Sequence, residues 1–384
     1  MKNRSSAQNE FPLMEKGENN VVLFHPHIPK NGINEVTNTL NSRWIGQGPK
    51  VDMFEQKFSS KFANGNPSIA VGSGTDALHL AYLLAELKEG DEVIVPVFTC
   101  TATNIPFLYM GVKIIFADID AETMNISVAH VKELINEKTK AIVCVHYGGL
   151  PCDMDELKAI ADEYNIPVIE DAAHALGAKY KGKSIGEISD FTMYSFQAIK
   201  HITTGDGGLL TFKNKNLLEK SKRLRWFGID RSAKQGGIWE NDIYEVGYKY
   251  QMTDIGASLG LTALEEFDEI LSHRQNILKV YNENLVGFND VKLIGTNCTD
   301  REHAAWICTI YVENRLALQS KLRDYNIESA QVHYRNDRYS IFGKRRHNLP
   351  NMDMIEDNYL VLPLHTRMSG EDAKRVCDVI KTGW

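Results

Sequence analysis

The sequence lacks the features that mark secreted, membrane-spanning and nucleic-acid-binding proteins. Its six cysteines form no C-x-x-C pair, which argues against structural zinc and favours free thiols in a reducing compartment. No apolar run approaches the ~18 residues that a membrane span needs, and the N-terminal stretch has no apolar signal core. A net charge of -7 gives no sign of a polyanion-binding surface. These absences predict a soluble, cytosolic protein that binds no nucleic acid, no membrane and no metal.

The length and composition are those of an ordinary globular protein with room for two domains. The chain has 384 residues, of which 43% are hydrophobic and 24% are charged. We expect residues 1–20 to be a flexible, polar lead-in and residues 21–255 to form a large domain. Residues 256–384 are then expected to form a smaller C-terminal α/β domain.

One stretch, SDFTMYSFQAIKHITTGDGGLLTF, carries most of the argument about function. A β-rich run ending at Phe196 leads into a polar turn with one lysine, Lys200, and a Gly-rich turn then precedes a second short strand. An amine held between two apolar strands can be desolvated, which lowers its pKa and makes it a usable nucleophile. A solvated loop lysine is the ordinary alternative, so other stretches must agree before chemistry is preferred.

A second stretch, VGSGTDALHLA, has the pattern of an anion-binding turn. A strand at 68–71 is interrupted by small residues that include Gly74 and Thr75, and we expect an amphipathic helix to begin at Asp76. Backbone N–H groups and the helix dipole would point at a phosphate there, and small residues would let it approach. A plain β–α turn with a Ser or Thr cap explains the same residues, so this motif is weak by itself.

Short apolar strands alternate with helical patterns through the first half of the chain. The predicted strands at 92–96, 113–118, 141–146 and 167–171 indicate an α/β domain with a largely parallel sheet. Ligands of such sheets bind at the carboxyl ends of the strands, where Asp171 falls. A phosphate seat, a strand-end carboxylate and a loop lysine together suit pyridoxal 5'-phosphate (PLP), because the carboxylate would keep the pyridine nitrogen protonated.

The second half of the chain indicates a smaller α/β unit. An aromatic, irregular segment, YEVGYKYQM, precedes a long helical stretch that we expect from residue 254 to about residue 285. A strand at 305–312 and helices at 315–325 and 370–381 complete the prediction.

Several motifs occur together in a characteristic order: RWIGQGPKVDMFEQKF, VGSGTDALHLA, GDEVIVPVFTCTATN, VHYGGLPCDMD, EDAAHALGA, SFQAIKHITTGDGG, VGYKYQMTDIGASLGLTALEEFD and VLPLH. In these motifs the chain resembles the DegT/DnrJ/EryC1/StrS family of PLP-dependent sugar aminotransferases, over about residues 43–369. The EDAAHALGA and SFQAIKHITTGDGG blocks at this separation are strongly specific, whereas the glycine turn alone is not. The resemblance implies the type I, aspartate-aminotransferase-like fold, with a large domain whose mostly parallel mixed sheet lies between helices and a smaller C-terminal α/β domain.

The resemblance also implies roles for individual residues. Lys200 corresponds to the Schiff-base lysine and proton shuttle, and Asp171 to the partner of the pyridine nitrogen; with His174, these are the expected catalytic residues. The implied cofactor-binding residues are Gly74, Thr75, Cys100, Asp171, His174, Ser195, Gln197, Lys200 and Lys249.

Three of these residues depart from the family pattern. His174 stands where the family usually has Gln, near the cofactor's phenolic oxygen, although a satisfied core histidine is the plain alternative. Cys100 replaces a ring-stacking aromatic, so we expect another residue, such as His174, to cover the cofactor ring. Lys249 replaces an Asn that reaches the partner subunit's phosphate; it either serves that phosphate through charge or is a solvated surface residue.

The activity implied by the resemblance is a ping-pong transamination in a homodimer with active sites at the subunit interface. L-Glutamate is the expected amino donor, and a nucleotide-linked keto-deoxyhexose for a surface polysaccharide or a glycosylated metabolite is the expected acceptor. Three alternatives remain: a sugar 3-dehydratase of the same fold, an aminotransferase for a small phosphorylated ketone, and a non-catalytic regulator. A histidine in place of the lysine would mark the dehydratase, and loss of the lysine or the aspartate would mark the regulator; here Lys200 and Asp171 are both present.

Overall fold

The structure of the protein is a computed structural model that describes residues 11–14, 17, 19–240 and 242–384. Most of the predicted flexible lead-in, residues 1–20, lies outside the described residues. None of the described helices combines the length and apolar character that crossing a membrane requires.

The α-helices of the described residues are α1 (Gly32–Leu40), α2 (Pro49–Phe62), α3 (Gly74–Leu84), α4 (Thr101–Met110), α5 (Val128–Leu134), α6 (Met154–Glu163), α7 (Leu218–Arg225), α8 (Arg231–Gln235), α9 (Asp254–Glu265), α10 (Phe267–Leu285), α11 (Arg315–Asp324), α12 (Pro350–Ile355) and α13 (Gly370–Lys381). The strands are β1 (Ser68–Val71), β2 (Glu92–Pro96), β3 (Phe98–Thr99), β4 (Lys113–Ala117), β5 (Thr139–Val145), β6 (Val168–Asp171), β7 (Lys179–Tyr180), β8 (Lys183–Ser184), β9 (Phe191–Ser195), β10 (Gly208–Phe212), β11 (Val291–Leu293), β12 (Arg301–Glu302), β13 (Cys308–Val312), β14 (Tyr334–Arg335) and β15 (Tyr359–Leu362).

A seven-stranded mixed sheet forms the centre of the molecule, in the order β1-β10-β9-β6-β5-β2-β4. The strands from β9 to β4 in that order are mutually parallel, and β10 runs antiparallel to both of its neighbours. Successive residues of a strand point to opposite faces, and on β5 Val143 joins the core on one face while Ile142 joins the core on the other. Helix α3 packs into the first core and α2 into the second, so helices cover both faces. The expected α/β fold with a mostly parallel mixed sheet is confirmed.

The C-terminal part forms a smaller layered unit with its own core. Its antiparallel sheet has the order β11-β13-β15, and residues of α10, α11 and α13 pack against it. The predicted strand at 305–312 is shorter, because β13 begins at Cys308. The predicted domain boundary at 255/256 remains a prediction.

The long helical stretch predicted from residue 254 to about residue 285 is confirmed, and it consists of two helices, because α9 ends at Glu265 and α10 begins at Phe267. The break lies at Glu266, whose carboxylate accepts a 2.8 Å hydrogen bond from the Lys30 backbone N–H and lies 3.1 Å from His27 Nε2. These contacts tie the interruption to a segment more than two hundred residues away in sequence, which local periodicity cannot reveal.

A short segment of the C-terminal unit reaches across to the large sheet region. Strand β14 pairs with β3, so that Tyr334 lies opposite Thr99. The Asn336 side-chain N–H donates a 2.7 Å hydrogen bond to the Thr99 carbonyl, and the Asn104 side chain donates one of 2.8 Å to Asn336 Oδ1. This pairing places the residues just before β14 beside the first turn of α4.

Candidate active site

The candidate site lies at the carboxyl ends of the central strands. Asp171 is the last residue of β6, and Ser195 is the last residue of the neighbouring parallel strand β9. The loop that joins the antiparallel strands β9 and β10 starts at the carboxyl end of β9, so Lys200, which lies in this loop, is at the same edge of the sheet. The predicted hairpin around the lysine is confirmed.

The seat predicted for a phosphate is built by the first turn of α3 and the end of β9. A Cβ added at Gly74 would lie 3.0 Å from Ser195 Cβ and 3.2 Å from its Oγ, so the two residues are in contact. A Cβ at Gly208 would lie 2.3 Å from the Ser73 carbonyl oxygen and 2.7 Å from the Gly74 nitrogen. Only glycine at position 208 therefore lets β10 approach the start of the helix. The N–H groups of a first helical turn lack partners within the helix and favour an anion.

The helix that carries this seat begins two residues earlier than predicted, at Gly74 rather than at Asp76. Ser73 is the cause, because its Oγ accepts a 3.0 Å hydrogen bond from the Asp76 N–H and so caps the helix before the apolar pattern starts. The earlier start includes Gly74 and Thr75 in the first turn, whose N–H groups are those predicted to bind the phosphate.

Lys200 lies in a loop that its own backbone bonds shape. Its N–H donates a 2.9 Å hydrogen bond to the Gln197 carbonyl, and the Gln197 side-chain oxygen accepts one of 3.0 Å from Ile199. The Gln197 side chain is exposed. The Trp306 indole N–H donates a 3.0 Å hydrogen bond to the Ile199 carbonyl, so the tryptophan fastens the residue next to the lysine.

The amine of Lys200 lies 3.8 Å from the centroid of the Trp306 ring. Burial lowers the pKa of Lys200 to about 8, although the neighbouring Cys100 and Asp171 act in the opposite direction. A substantial fraction of the amine is therefore neutral near physiological pH, which a nucleophile and proton carrier requires.

Asp171 is a buried carboxylate with two hydrogen-bond donors. Thr103 Oγ1 donates to one oxygen at 2.8 Å and the Ala173 N–H donates to the other at 3.1 Å. Burial raises the pKa of Asp171, while these two bonds and the charge of Lys200 lower it. A cation placed at this carboxylate, such as a protonated pyridine nitrogen, would favour its ionised form.

His174 is buried and one of its nitrogens has no partner among the described residues. Its ring stacks on Trp306 with centroids 3.8 Å apart and planes at 12°, and its Nε2 lies 3.3 Å from His333 Nε2. His174 Nδ1 is the atom without a hydrogen bond. Burial and the nearby charge of Lys200 hold the pKa of His174 well below its usual range, so the ring is neutral. That this ring covers the cofactor remains a prediction.

Cys100 lies near Lys200, whereas the Lys249 side chain contacts residues outside the site. Cys100 precedes α4, is exposed, and is close enough to Lys200 to raise its pKa. The Lys249 amine donates a hydrogen bond to Gln251 and lies 5.5 Å from the Phe227 ring centroid. Lys249 is exposed, and its predicted role at a partner subunit's phosphate stays a prediction.

Three residues at the site were not foreseen from the sequence: Thr103, Trp306 and His333. Thr103 lies inside the CTATN motif, and its position in the first turn of α4 could have suggested a side chain facing Asp171. Trp306 and His333 come from the C-terminal unit and meet the site only through tertiary contacts, so no local signal marks them.

A buried cluster of potential metal ligands lies near the site. The ligand atoms of Cys144, His146 and Cys152 lie within 4.8 Å of one another. His146 Nδ1 accepts a 3.0 Å hydrogen bond from the Cys152 backbone N–H, and its Nε2 lies 2.8 Å from a Glu170 carboxylate oxygen. Both imidazole nitrogens are therefore engaged within the protein, and we assign no metal to this cluster.

The residues at the strand ends fit PLP. The seat formed by Gly74 and Ser195 suits its phosphate, Asp171 suits its pyridine nitrogen, and the partially neutral Lys200 suits covalent attachment. The unpartnered Nδ1 of His174 calls for a polar ligand atom. This fold with this site defines an enzyme of the PLP-dependent transferase class.

Comparison with known proteins identifies the family within that class. Residues 26–381 match the model of the DegT/DnrJ/EryC1/StrS aminotransferase family, and the chain belongs to that family. It is 34% identical to GDP-perosamine synthase of Escherichia coli O157:H7 over 94% of this chain and 97% of that one. It is 32% identical to the UDP-4-amino-4-deoxy-L-arabinose--oxoglutarate aminotransferase of Shewanella sediminis, over 93% and 96%.

Solved structures agree with this assignment. The Spr1654 protein of Streptococcus pneumoniae, in its PMP form, superposes with a TM-score of 0.89 at 31% identity, over 94% of this chain and 98% of that one. A PLP form of the same protein also matches. The family, the fold, the cofactor and the aminotransferase class expected from the sequence are confirmed.

Lys200 should be the lysine that PLP labels after borohydride reduction, as peptide mapping would show. The rate of labelling should rise with pH to a midpoint near 8, because the neutral amine is the nucleophile and burial lowers its pKa. Lys200→Ala should abolish both labelling and turnover while the protein stays folded. Lys183→Ala, at an exposed lysine on β8, is the control and should behave as wild type. Label on another lysine, or a midpoint near the ordinary value of about 10.4, would contradict the assignment.

Asp171→Asn should lower kcat/KM by about a hundred-fold or more, because the amide cannot hold the pyridine nitrogen protonated. Steady-state kinetics at saturating PLP would measure the loss. Asp118 provides a matched control, since it follows β4 and is buried to the same 4% exposure. Asp118→Asn should reduce stability, because its carboxylate accepts bonds from the Asn351 and Met352 N–H groups, but should leave kcat of the folded enzyme in place. A near-normal kcat for Asp171→Asn would assign the pyridine nitrogen to another group.

Proposed function

We propose that this enzyme transfers the amino group of L-glutamate to a nucleotide-linked keto-deoxyhexose, for a surface polysaccharide or a glycosylated metabolite. The observation that carries the proposal is the desolvated Lys200 amine beside the buried Asp171 carboxylate at the strand ends. The names of two relatives support the acceptor class, because one is a GDP-sugar enzyme and the other a UDP-sugar enzyme. The second name also contains oxoglutarate, the keto acid that glutamate becomes when it gives up its amino group.

Each residue of the site has a separate task in this proposal. Bound PLP supplies an electron-withdrawing ring at the substrate carbon that gains or loses a proton. Asp171 holds a proton on the pyridine nitrogen by presenting a carboxylate that Thr103 keeps in place. The first turn of α3 with Ser195 binds the phosphate and fixes the orientation of the ring. Lys200 Nζ, which is partly neutral near pH 8, accepts the proton from the donor carbon and returns it during amination.

The 3-dehydratase alternative is disfavoured by the residues at the lysine position. That activity would need a histidine in place of Lys200, and the neighbouring His201 is turned into the protein. His201 is buried, and its Nε2–H donates a 2.7 Å hydrogen bond to the Ala304 carbonyl. We also infer a cytoplasmic location, which the six cysteines without disulfides support.

A panel of acceptors tests the proposed substrate class. The enzyme, PLP and ¹⁵N-labelled glutamate would be incubated with GDP-, UDP- and dTDP-linked 4-keto and 3-keto sugars and with small phosphorylated ketones. We expect mass spectrometry to find ¹⁵N in an amino sugar nucleotide, and none with Lys200→Ala. Amination only of a small phosphorylated ketone would overturn the nucleotide-sugar proposal and leave the aminotransferase class intact.

We further propose a homodimer in which Lys249 of one subunit serves the phosphate of the other. A run of exposed apolar side chains close to Lys249 in sequence supports a covered surface, since Trp239, Tyr244 and Val246 are 76%, 71% and 79% exposed. Among the described residues of one chain, the recorded contacts of the Lys249 amine are Gln251 and Phe227, and neither belongs to the seat described above. The phosphate in the partner subunit is therefore the target that we propose for it.

Lys249→Ala should weaken PLP retention by about 1.5–3 kcal/mol, the usual contribution of a hydrogen bond to a charged group. If sites are shared, a mixed dimer of Lys200→Ala and Lys249→Ala contains one site with both lysines intact. Mixtures should then label more PLP on borohydride reduction than the average of the two parents. Labelling equal to that average, or a monomer in sedimentation analysis, would show that Lys249 acts within its own chain or not at all.

A further inference from the structure

A second histidine, His333, meets His174 at the site. Their Nε2 atoms are 3.3 Å apart, while the ring centroids are 5.1 Å apart and the planes are inclined by only 6°. The two Nε2 atoms thus face each other between nearly parallel rings. Their separation is that of an N–H···N hydrogen bond between the two imidazoles.

Such a bond couples the tautomers of the two rings. One Nε2 must carry a proton and the other must offer a lone pair, and a neutral imidazole carries a proton on one nitrogen only. Burial and the charge of Lys200 lower the pKa of His333 to about 3 and that of His174 well below its usual range. Both rings are therefore neutral, and the direction of the bond decides whether His174 Nδ1 is a donor or an acceptor.

His174 Nδ1 is the atom on which this choice acts. It is buried and has no hydrogen-bond partner among the described residues, and the Trp306 ring that stacks on His174 also lies 3.8 Å from Lys200 Nζ. A buried polar nitrogen without a partner has its bonding completed when a ligand atom meets it. The phenolic oxygen of PLP is a hydrogen-bond acceptor, so an N–H at this position would satisfy both.

We propose that His333 is a positioning residue that fixes the tautomer of His174 in the PLP-loaded enzyme. His333 Nε2–H donates to His174 Nε2, and His174 then carries its only proton on Nδ1, as the donor to the cofactor oxygen. The inference rests on the cofactor-binding role proposed for His174 and is independent of the sugar substrate.

His333 is held for this task by contacts outside the site. The Tyr359 hydroxyl donates to the His333 carbonyl, and the next two residues are strand β14, which pairs with β3. The imidazole is thus carried on a backbone segment that is bonded on two sides. Its ring plane lies within 18° of that of Trp306.

Histidine tautomers can be read directly from ¹⁵N chemical shifts, which tests the proposal without an activity assay. In ¹⁵N-histidine-labelled, PLP-loaded wild-type enzyme, with His174 assigned by the loss of its signals in His174→Gln, we expect the proton on Nδ1. A proton on Nε2 of His174 would overturn the proposal. Because this measurement uses the wild type, it does not depend on how any His333 variant folds.

Variants of His333 separate the hydrogen bond from ring packing. His333→Phe keeps a ring but removes the donor, so the fixed tautomer of His174 should be lost and PLP retention should weaken about five- to tenfold. His333→Gln, whose amide nitrogen can occupy the position of Nε2, should restore both. The control is His130→Asn. His130 Nδ1 accepts a 2.8 Å hydrogen bond from the N–H of Asp118, which follows the edge strand β4. This substitution should not affect His174.

The outcomes distinguish this inference from the proposed reaction. An unchanged His174 tautomer in His333→Phe would overturn the role of His333, and unchanged PLP retention would overturn the contact between Nδ1 and the cofactor. Failure to aminate any nucleotide-linked sugar would leave both results standing, because neither measurement involves the acceptor.

Discussion

The burial of one carboxylate, Asp171, is the constraint on which the site depends. An ionised group at 4% exposure is unfavourable unless donors and cations surround it. Thr103 and Ala173 supply hydrogen-bond donors. Lys200 supplies a positive charge when its amine is protonated, although burial lowers the pKa of that amine. Burial still raises the pKa of Asp171, so a further cation at its carboxylate would favour the ionised form. A protonated pyridine nitrogen, the partner predicted for Asp171, would be such a cation.

Elements with a strong local pattern could be predicted from the sequence. The apolar strands, the hairpin around Lys200 and the strand-end position of Asp171 follow from periodicity and turn residues, because each pattern lies within about twenty residues. The start of α3 and the break at Glu266 could not be placed so well. At α3 a capping hydrogen bond from Asp76 to Ser73 sets the boundary. At Glu266 the interruption coincides with a hydrogen bond from the distant Lys30, and the apolar pattern registers neither bond.

The residues that surround the lysine could not be predicted, because they belong to the other part of the chain. Trp306 and His333 lie in segments of apolar or mixed composition, and no sequence motif around them indicates that they lie near Lys200. Their positions follow from the pairing of β14 with β3 and from the bond between the Trp306 indole and Ile199. The family resemblance supplied roles for Lys200 and Asp171. Cys100 and His174 depart from the family pattern, so only the structure shows which residues lie beside them.

The order in which the site's residues leave the ribosome has a consequence for the nascent chain. Asp171 and Lys200 are synthesised more than a hundred residues before Trp306 and His333, and synthesis proceeds at roughly 5–20 residues per second. Until the later segments emerge, Lys200 lacks the Trp306 ring that lies 3.8 Å from its amine, and a lysine amine in water keeps its ordinary basicity. It is then protonated and a poor nucleophile toward the aldehydes of the cell. The amine therefore gains its lowered pKa only after Trp306, about a hundred residues later in the chain, has been synthesised and has packed against it.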